Sequence, residues 1–263
     1  MVMTTLFFGT QSVRMFSLAK NTTFKVNRFA YVTAAELGGE SRISRKIIDT
    51  CGTTESVNAV VLTFGGMDCK FSYYRRLCTE DTPPDSETAM IKFAAGYMEF
   101  VCRVKELMKP KGAKIIVIGA EPNGSPPSKT FAQCVFYKMV ADTAENRRRI
   151  EDSVETKHPD ELRKTFNGTL KHLCSVHEVE YIDIDEFILE ADATDRDQSV
   201  VKKQFCDIMD VSVNLNWDEN LMLYRAKLRP ICVFISAALN LKHDREAYLV
   251  DKSAWLAKRQ KTK

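Results

Sequence analysis

The sequence predicts an α/β domain built on a parallel β-sheet. Five short apolar segments recur along the 263 residues, and longer segments with helical periodicity separate them. Turns rich in glycine or proline bound many of these segments. Strands that alternate with helices in this way form parallel sheets covered by helices on both faces. We expect a strand in each of residues 4–8, 24–33, 59–64, 115–118 and 179–184.

The apolar segments are assigned to strands because they are short and stop at turn residues. Residues 4–8 stop at Gly9, and residues 59–64 stop at Gly65. A loop rich in glycine and proline follows residues 115–118, and acidic residues follow the last strand. Such short apolar runs are typical of strands buried on both faces.

The helices are predicted from amphipathic spacing between capping and breaking residues. Ser12 stands where a helix N-cap is expected. Pro110 and Gly112 end the long helix predicted over residues 87–108. Pro230 must bend or divide the last helix because proline lacks an amide. The predicted helices cover residues 13–20, 42–51, 87–108, 130–151, 160–177, 200–205 and 219–240.

The composition is that of an ordinary globular protein. Hydrophobic residues make up 44% of the chain and charged residues 28%. The 38 basic and 35 acidic residues give a formal net charge of +3, which argues against nucleic acid and anionic membranes as partners. No segment approaches the ~18 apolar residues of a membrane span. We assign residues 1–256 to one domain and residues 257–263 to a basic tail.

The cysteines indicate a reducing compartment. None of them forms a CxxC pair, and in a chain this long their wide spacing is typical of free thiols. We therefore expect a cytoplasmic location, with a secreted disulfide protein as the alternative. Cys69 and Cys78 flank a segment near the candidate site and are expected to be partly exposed. The eight cysteines stand at positions 51, 69, 78, 102, 134, 174, 206 and 232.

The residues that follow the strands are the candidate site, because ligands of open parallel sheets bind outside the carboxyl ends of the strands. Four segments of this sequence are expected there. They are residues 9–12 (Gly-Thr-Gln-Ser), residues 37–41 (Leu-Gly-Gly-Glu-Ser), residues 64–68 (Phe-Gly-Gly-Met-Asp) and residues 207–216 before the last helix.

In their order and spacing, these segments resemble the sequence blocks of the SGNH (GDSL-type) hydrolases. That family has Gly-Asp-Ser with a nucleophilic serine after its first strand, a glycine after the second, Gly-x-Asn-Asp after the third and Asp-x-x-His near the end. The similar blocks here are residues 8–15, 38–41, 60–69 and 210–216. The resemblance implies a three-layer α/β/α, flavodoxin-like fold with strand order 2-1-3-4-5 and a central first strand.

The residues that carry the chemistry of that family are replaced in this sequence. Aligned from Gly9, the nucleophile position holds Gln11, and the oxyanion-hole asparagine falls at Met67, which has no hydrogen-bond donor. The base histidine falls near Val213 or Asn214. A hydrolase of this type needs a nucleophile, a base within hydrogen-bond reach and donors aimed at the oxyanion. The alignment keeps only the backbone donor at Gly38 or Gly39.

Ser12 leaves an alternative open, because it lies one residue beyond the expected nucleophile position. A longer turn after the first strand would still place its hydroxyl above the sheet, where it would need a base. The helix N-cap is the other interpretation of Ser12. None of the four histidines stands where the family places its base; they are His158, His172, His177 and His243.

Asp68 and Arg14 are the polar side chains most expected to line the cleft. A buried pair that fixes the surrounding loops is the other interpretation of these two residues. Ser12 is the catalytic candidate. The remaining predicted cleft residues are Gly9, Thr10, Gln11, Arg14, Gly38, Gly39, Gly66, Asp68, Asp210 and Asn214.

We expect no metal and no cofactor. In His172-x-Cys174-x-x-His177, residues two apart on a helix face different ways and do not form one metal face. The acidic residues between 183 and 197 lack the spacing of an EF-hand. Gly65-Gly66 lacks both the Lys-Ser/Thr of a P-loop and the spacing of a dinucleotide fingerprint.

The sequence thus predicts an SGNH-fold protein that has lost hydrolytic competence and uses its strand-end cleft or its surface to bind a small molecule or a protein partner. Two alternatives stay open. One is an active esterase or acetyl-transfer enzyme with Ser12 as nucleophile. The other is a structural or interaction domain without a ligand.

Overall fold

A computed structural model of the chain describes residues 3–10, 13, 16, 23–82, 85–120, 140–156, 159–183, 189–191 and 199–201. Within these residues, five parallel strands form one sheet in the order β2-β1-β3-β4-β5, which confirms the expected order and the central first strand. The strands are β1 (Thr4–Gly9), β2 (Phe24–Arg28), β3 (Val57–Thr63), β4 (Lys114–Ile118) and β5 (Glu180–Ile182).

Six α-helices are described around this sheet. A π-helical turn (Asp68–Ser72) precedes the third helix, and a 3-10 turn (Lys109–Lys111) follows the fourth. The helices are α1 (Ala34–Gly38), α2 (Arg42–Thr53), α3 (Tyr73–Thr79), α4 (Ser86–Met108), α5 (Ala144–Thr156) and α6 (Pro159–Val176).

Both faces of the sheet are buried, as in a three-layer α/β/α arrangement. Alternate strand residues such as Leu6, Phe8 and Leu62 belong to one core cluster with side chains of the described helices. On the opposite face Phe7 is also fully buried, and its ring stacks on that of Phe16 with centroids 4.3 Å apart. Strands buried on both faces explain the continuous apolar runs in the sequence.

Basic side chains of α4 and the turn after it cap neighbouring helices. Arg103 donates to the carbonyl of Leu37 at 3.0 Å, at the end of α1. Lys111 Nζ donates to three carbonyls at the end of α2, at 2.7 to 2.8 Å. Lys105 Nζ donates to the carbonyl of His177 beyond α6 at 2.7 Å. Cations at helix C-termini satisfy carbonyls that lack an intrahelical partner.

Three local predictions need correction. Helix α1 has no counterpart in the prediction, which overlooked the capping pattern of Thr33 and Glu36. The helix predicted over residues 130–151 is wrong for residues 140–143, since α5 begins at Ala144, where the Thr143 hydroxyl accepts from the amide of Asn146 at 3.1 Å. The helix predicted over residues 200–205 is wrong at its start, where β7 (Ser199–Val201) pairs antiparallel with β6 (Leu189–Ala191).

Other predictions fall partly or wholly outside the described residues. These are the helix over residues 13–20 apart from Val13 and Phe16, the helix over residues 219–240, and the tail over residues 257–263. No helix in the described part of the chain is long and apolar enough to cross a membrane.

The cysteines of the described segments are free thiols. Cys78 is half-buried, as expected, but the expected exposure of Cys69 is wrong, because its residue is only 1% exposed. Cys69 lies in the π-helical turn, and its amide donates to the carbonyl of Gly65 at 3.2 Å, which turns its side chain into the core.

Candidate functional site

The carboxyl ends of the first three strands lie side by side in the structure. Gly9, the last residue of β1, is in register with Arg28 of β2 and Thr63 of β3. The amide of Phe29 donates to the carbonyl of Gly9 at 2.8 Å. A Cβ atom on Gly9 would overlap Thr63, so the close approach of β1 and β3 requires glycine at this position. These three strand ends form the edge at which a ligand is expected.

Asp68 joins the segment after β3 to the segment after β2. Its Oδ2 accepts from the amide of Ala34 at 2.6 Å, and its Oδ1 accepts from the amide of Ala35 at 3.0 Å. Both amides lie in the first turn of α1, where backbone donors lack an intrahelical partner. Thr33 completes the cap, because its Oγ1 accepts from the amide of Glu36 at 3.0 Å. Since β2 and β3 flank β1, Asp68 links the segments on either side of the central strand.

The carboxyl group of Asp68 is fully buried, and this burial raises its pKa from 3.8 to about 7. The hydrogen bonds from Ala34 and Ala35 lower the pKa, whereas the charge of Glu36 raises it further. Both oxygens accept hydrogen bonds from α1, so this carboxyl group joins the start of α1 to the segment after β3. These contacts are those of a group that fixes loops; the pairing of Asp68 with Arg14 stays a prediction, because Arg14 lies outside the described residues.

The remainder of the third segment provides backbone and apolar groups. Gly65 has φ +109°, and Phe166 of α6 occupies the place where a side chain would lie. Gly66 is half-exposed and has open space where a Cβ would point. Met67, at the place of the family's asparagine, is buried at 9% exposure. The side chain of Met67 offers a thioether, which cannot donate to an oxyanion.

Gly38 and Gly39 lie in a helix contact. A Cβ on Gly38 would lie 2.7 Å from the carbonyl oxygen of Gly96. Helix α1 therefore approaches α4 at Gly38 and Gly96. The Gly38 and Gly39 carbonyls lie 3.5 and 3.3 Å from Nη2 of Arg103, which donates to them. Gly38 and Gly39 thus lie at the C-terminal end of α1, whereas the amides that contact Asp68, those of Ala34 and Ala35, lie at its N-terminal end.

Sequence reasoning missed Asn167, which holds the end of β4. Its Nδ2 donates to the carbonyl of Ala120 at 2.9 Å, and its Oδ1 accepts from the amide of Ala120 at 2.8 Å. The residue is 7% exposed and lies on the same helix as the buried Phe166 and Leu170. An asparagine on an apolar helix face was the signal that could have found it, since buried amides are hydrogen-bonded.

Of the predicted cleft residues, the structure describes Gly9, Thr10, Gly66 and Asp68 around the strand ends. Thr10 directly follows β1 and is 9% exposed. Five predicted site residues lie outside the described part of the chain: Gln11, Ser12, Arg14, Asp210 and Asn214.

The described histidines lie away from this edge. His177 follows α6 three residues before β5 begins, which places it at the amino edge of the sheet. Its carbonyl accepts from Lys105 there. His172 is exposed five residues earlier, in α6. Among the residues that the structure describes, no group of three or more His, Cys, Asp or Glu side chains is arranged to hold a metal ion.

Comparison with known proteins gives structural similarities only. No family model and no curated protein matches the chain. A GDSL-like lipase from Bacteroides thetaiotaomicron is 11% identical with a TM-score of 0.44, and the match covers 90% of this chain and 87% of that one. An acetylxylan esterase from Geobacillus stearothermophilus is 13% identical with a TM-score of 0.42, covering 88% and 96%. An aryl esterase from M. smegmatis is 12% identical with a TM-score of 0.41, covering 73% and 89%. At these values no residue role passes from those proteins to this chain.

Proposed function

We propose that this protein binds a ligand at the carboxyl edge of its sheet without hydrolysing it. The segment after β3, residues 64–68, supports the proposal. Met67 stands where a hydrolase of this type needs a side-chain donor, and the adjacent Asp68 carboxyl group is committed to the amides of Ala34 and Ala35. The proposal places the ligand at the strand ends, where ligands of open parallel sheets bind. The side chain of Met67 supplies no donor for an oxyanion there.

The energetics favour binding over turnover. Removing one oxyanion-hole donor costs roughly 10²–10³ in rate. A serine alcohol is a weak nucleophile unless a base lies beside it, and Gln11 replaces the expected serine. These losses act on one transition state and are not multiplied, but either of them brings turnover close to background.

The partner that we propose is a small molecule or a protein segment in a reducing compartment. The near balance of 38 basic and 35 acidic residues supports neither nucleic acid nor an anionic membrane. The free thiols of the described cysteines are compatible with a cytoplasmic location.

The test is hydrolysis of a short-chain aryl ester, 4-nitrophenyl acetate, at neutral pH. We expect the unaltered protein, Ser12→Ala and the control Ser175→Ala to give the same background rate. Ser175 is an exposed serine in the last turns of α6 and has no part in the strand-end edge. Hydrolysis by the parent that is lost only in Ser12→Ala would overturn the proposal and establish the esterase alternative.

A binding function also makes a positive prediction. A ligand that binds only the folded state at 100 times its Kd raises the free energy of unfolding by about 2.7 kcal/mol. We therefore expect a library of small molecules to contain compounds that raise the Tm in a concentration-dependent way. If compounds that raise the Tm protect no strand-end residue in hydrogen exchange, the site lies elsewhere on the protein.

A further inference from the structure

The buried carboxyl group of Asp68 joins two chain segments that follow different strands. The residue is 0% exposed, and its oxygens accept from the amides of Ala34 and Ala35 at 2.6 and 3.0 Å. Asp68 begins the π-helical turn after β3, whereas Ala34 and Ala35 begin α1, after β2. Because β1 lies between β2 and β3, these two hydrogen bonds span the end of the central strand. The connection therefore depends on one side chain that ionises.

The surroundings of Asp68 provide hydrogen-bond donors but no counter-charge that lowers its pKa. Among the described residues, the groups that lower this pKa are backbone amides, and the charge of Glu36 on α1 raises it. Tyr97 on α4 is fully buried, and burial holds the pKa of its hydroxyl well above the usual value, so this group is uncharged at neutral pH. A buried charge without a counter-charge is strongly disfavoured, so the closed structure favours the protonated form of Asp68.

The other elements packed against the π-helical turn are α3 and α6. None of their described titratable or charged side chains is among the groups that shift the pKa of Asp68. The buried ones in the described part of these two helices are Tyr73, Tyr74, Arg163 and Cys174. Glu36 and Tyr97 are therefore the described ionisable side chains that interact electrostatically with Asp68.

The two segments that meet at Asp68 are both short. Helix α1 has five residues, too few to be stable alone, so it depends on contacts with the rest of the fold. Residues Asp68–Ser72 form a single π-helical turn, a rare conformation that is often found at functional sites. Loss of the contact with Asp68 therefore weakens the first turn of α1 before the larger elements open.

We propose that Asp68 and the amides of Ala34 and Ala35 form a proton-operated latch at the strand-end edge. The protonated carboxyl group holds the start of α1 to the segment after β3, and loss of the proton releases it. The latch needs no ligand, so this inference goes beyond the proposed binding function and does not depend on it.

The direction of the pH dependence follows from burial. In the closed latch, burial raises the pKa of Asp68 from 3.8 to about 7, and opening returns the carboxyl group to water and to its ordinary pKa. The latch is therefore held most tightly below pH 3.8, weakens as the pH rises to about 7 and does not weaken further above that. Within this window, the open fraction grows up to about tenfold for each pH unit.

The experiment follows hydrogen exchange of single amides by NMR between pH 4 and pH 8. Protection factors compare the observed exchange rate with that of an unstructured chain at the same pH, and they are measured for the amides of Ala34 and Ala35. The amide of Ser44 is the internal control, because its acceptor is the hydroxyl of Ser41 at 3.0 Å, which does not ionise in this range. We expect the protection of Ala34 and Ala35 to fall up to about tenfold per pH unit as the pH rises to about 7, and that of Ser44 to stay constant.

Three variants assign the pH dependence to the latch. Asp68→Asn removes the titrating group, so the protection of the α1 amides should no longer change with pH. Glu36→Gln removes the charge that raises the pKa of Asp68, so the fall in protection should end at a lower pH. Glu55→Gln is the matched control and should behave as the unaltered protein does, because Glu55 is exposed between α2 and β3, at the amino edge of the sheet.

Several results would overturn the inference. Protection of Ala34 and Ala35 that is constant, or that rises with pH, would mean that the carboxylate holds α1 as well as the protonated form does. An equal fall at Ser44 would mean that the whole fold responds to pH, and a fall that persists in Asp68→Asn would assign it to another group.

A second measurement decides the matter if Asp68→Asn does not fold. Carbon-13 NMR titration of the Asp68 carboxyl group in the unaltered protein and in Glu36→Gln reports its pKa directly, and a value at or below 3.8 overturns the latch. These measurements use neither a ligand nor an ester, so failure of the latch is distinguished from failure of the proposed function.

Discussion

Asp68 is subject to two opposing effects on its ionisation. Removing the carboxylate from water favours the protonated form, whereas two amides of a helix N-terminus favour the charged form. Burial is the larger effect, and it raises the pKa to about 7. Among the described residues, two elements bring ionisable groups to Asp68: Glu36 on α1, whose charge raises the pKa, and Tyr97 on α4, whose own pKa lies well above its usual range because it is buried.

This raised pKa makes the contribution of Asp68 to stability depend on pH. Because its folded-state pKa lies above the ordinary 3.8, the stabilisation is fully present below pH 3.8 and is lost as the pH rises to about 7. The loss is up to about 1.4 kcal/mol per pH unit in that window. We expect Asp68→Asn to be less stable at pH 4, where it leaves one amide of α1 without an acceptor, and the deficit to shrink towards pH 8.

Urea unfolding of both proteins between pH 4 and pH 8 measures this difference. Glu36→Gln provides the internal check, because removing that charge lowers the Asp68 pKa and moves the window to lower pH. A deficit that grows with pH would mean that the two amides outweigh burial and that the carboxyl group is charged throughout the range.

At the scale of elements, the contact between α1 and α4 positions the candidate site. Helix α1 has only five residues, too few to be stable alone. It is held at its N-terminus by Thr33 and Asp68, along its side by the approach of Gly38 to Gly96, and at its C-terminus by Arg103. Each restraint on α1 also fixes the chain between β2 and α1, which lies at the strand-end edge.

Two glycine substitutions separate close packing from helix propensity. Gly38→Ala would place its Cβ 2.7 Å from the carbonyl oxygen of Gly96, and we expect a loss of about 1–3 kcal/mol in the free energy of unfolding. Gly52→Ala in α2 meets nothing within 4 Å, and we expect a gain of about 0.4–1 kcal/mol. Urea unfolding of the two variants measures both values. Equal effects in the two variants would show that α1 does not pack on α4 as described.

At this scale, the sequence predicts the elements that depend on neighbouring residues better than those that depend on distant contacts. The strands follow from short apolar runs that end at Gly9 and Gly65, and each begins within two residues of its predicted start. Helix α1 has a local signal in Thr33 and Glu36, which match the T-x-x-E capping pattern and which the prediction overlooked. Its other restraint, the hydrogen bond from the Ala34 amide to Asp68, joins residues 34 positions apart and follows no local pattern. Val200 and Val201 lie in a strand because β-branched residues favour pleated structure, a preference that the predicted helix overlooked.

At the scale of the molecule, topology brings together what the sequence separates. The end of β1 could be placed beside the end of β3 from the expected strand order alone. The sequence could not decide whether Asp68 lines the cleft or fixes loops, because both uses place a carboxylate after β3. The positive φ of Tyr31, +61°, could not be predicted either, because tyrosine rarely adopts this backbone conformation and its residue type does not indicate it.

The buried thiols test whether the molecule unfolds as one domain. Cys51 on α2, Cys69 after β3 and Cys174 on α6 belong to one core cluster. Burial raises the pKa of Cys51 and of Cys174 to about 12, so the reactive thiolate is scarce while the fold is intact. Cys78 and Cys102 are half-buried and are expected to react with N-ethylmaleimide in the native protein.

We expect the three buried cysteines to become reactive together, at the urea concentration of global unfolding, because groups in one cooperative core are exposed by the same opening. Pulses of N-ethylmaleimide across a urea series, read peptide by peptide by mass spectrometry, measure each midpoint. Cys78 and Cys102 should label from the first point of the series. If Cys51 labels at a lower urea concentration than Cys174, the α2 region opens separately from α6, and the expectation that the three cysteines share one cooperative core is wrong.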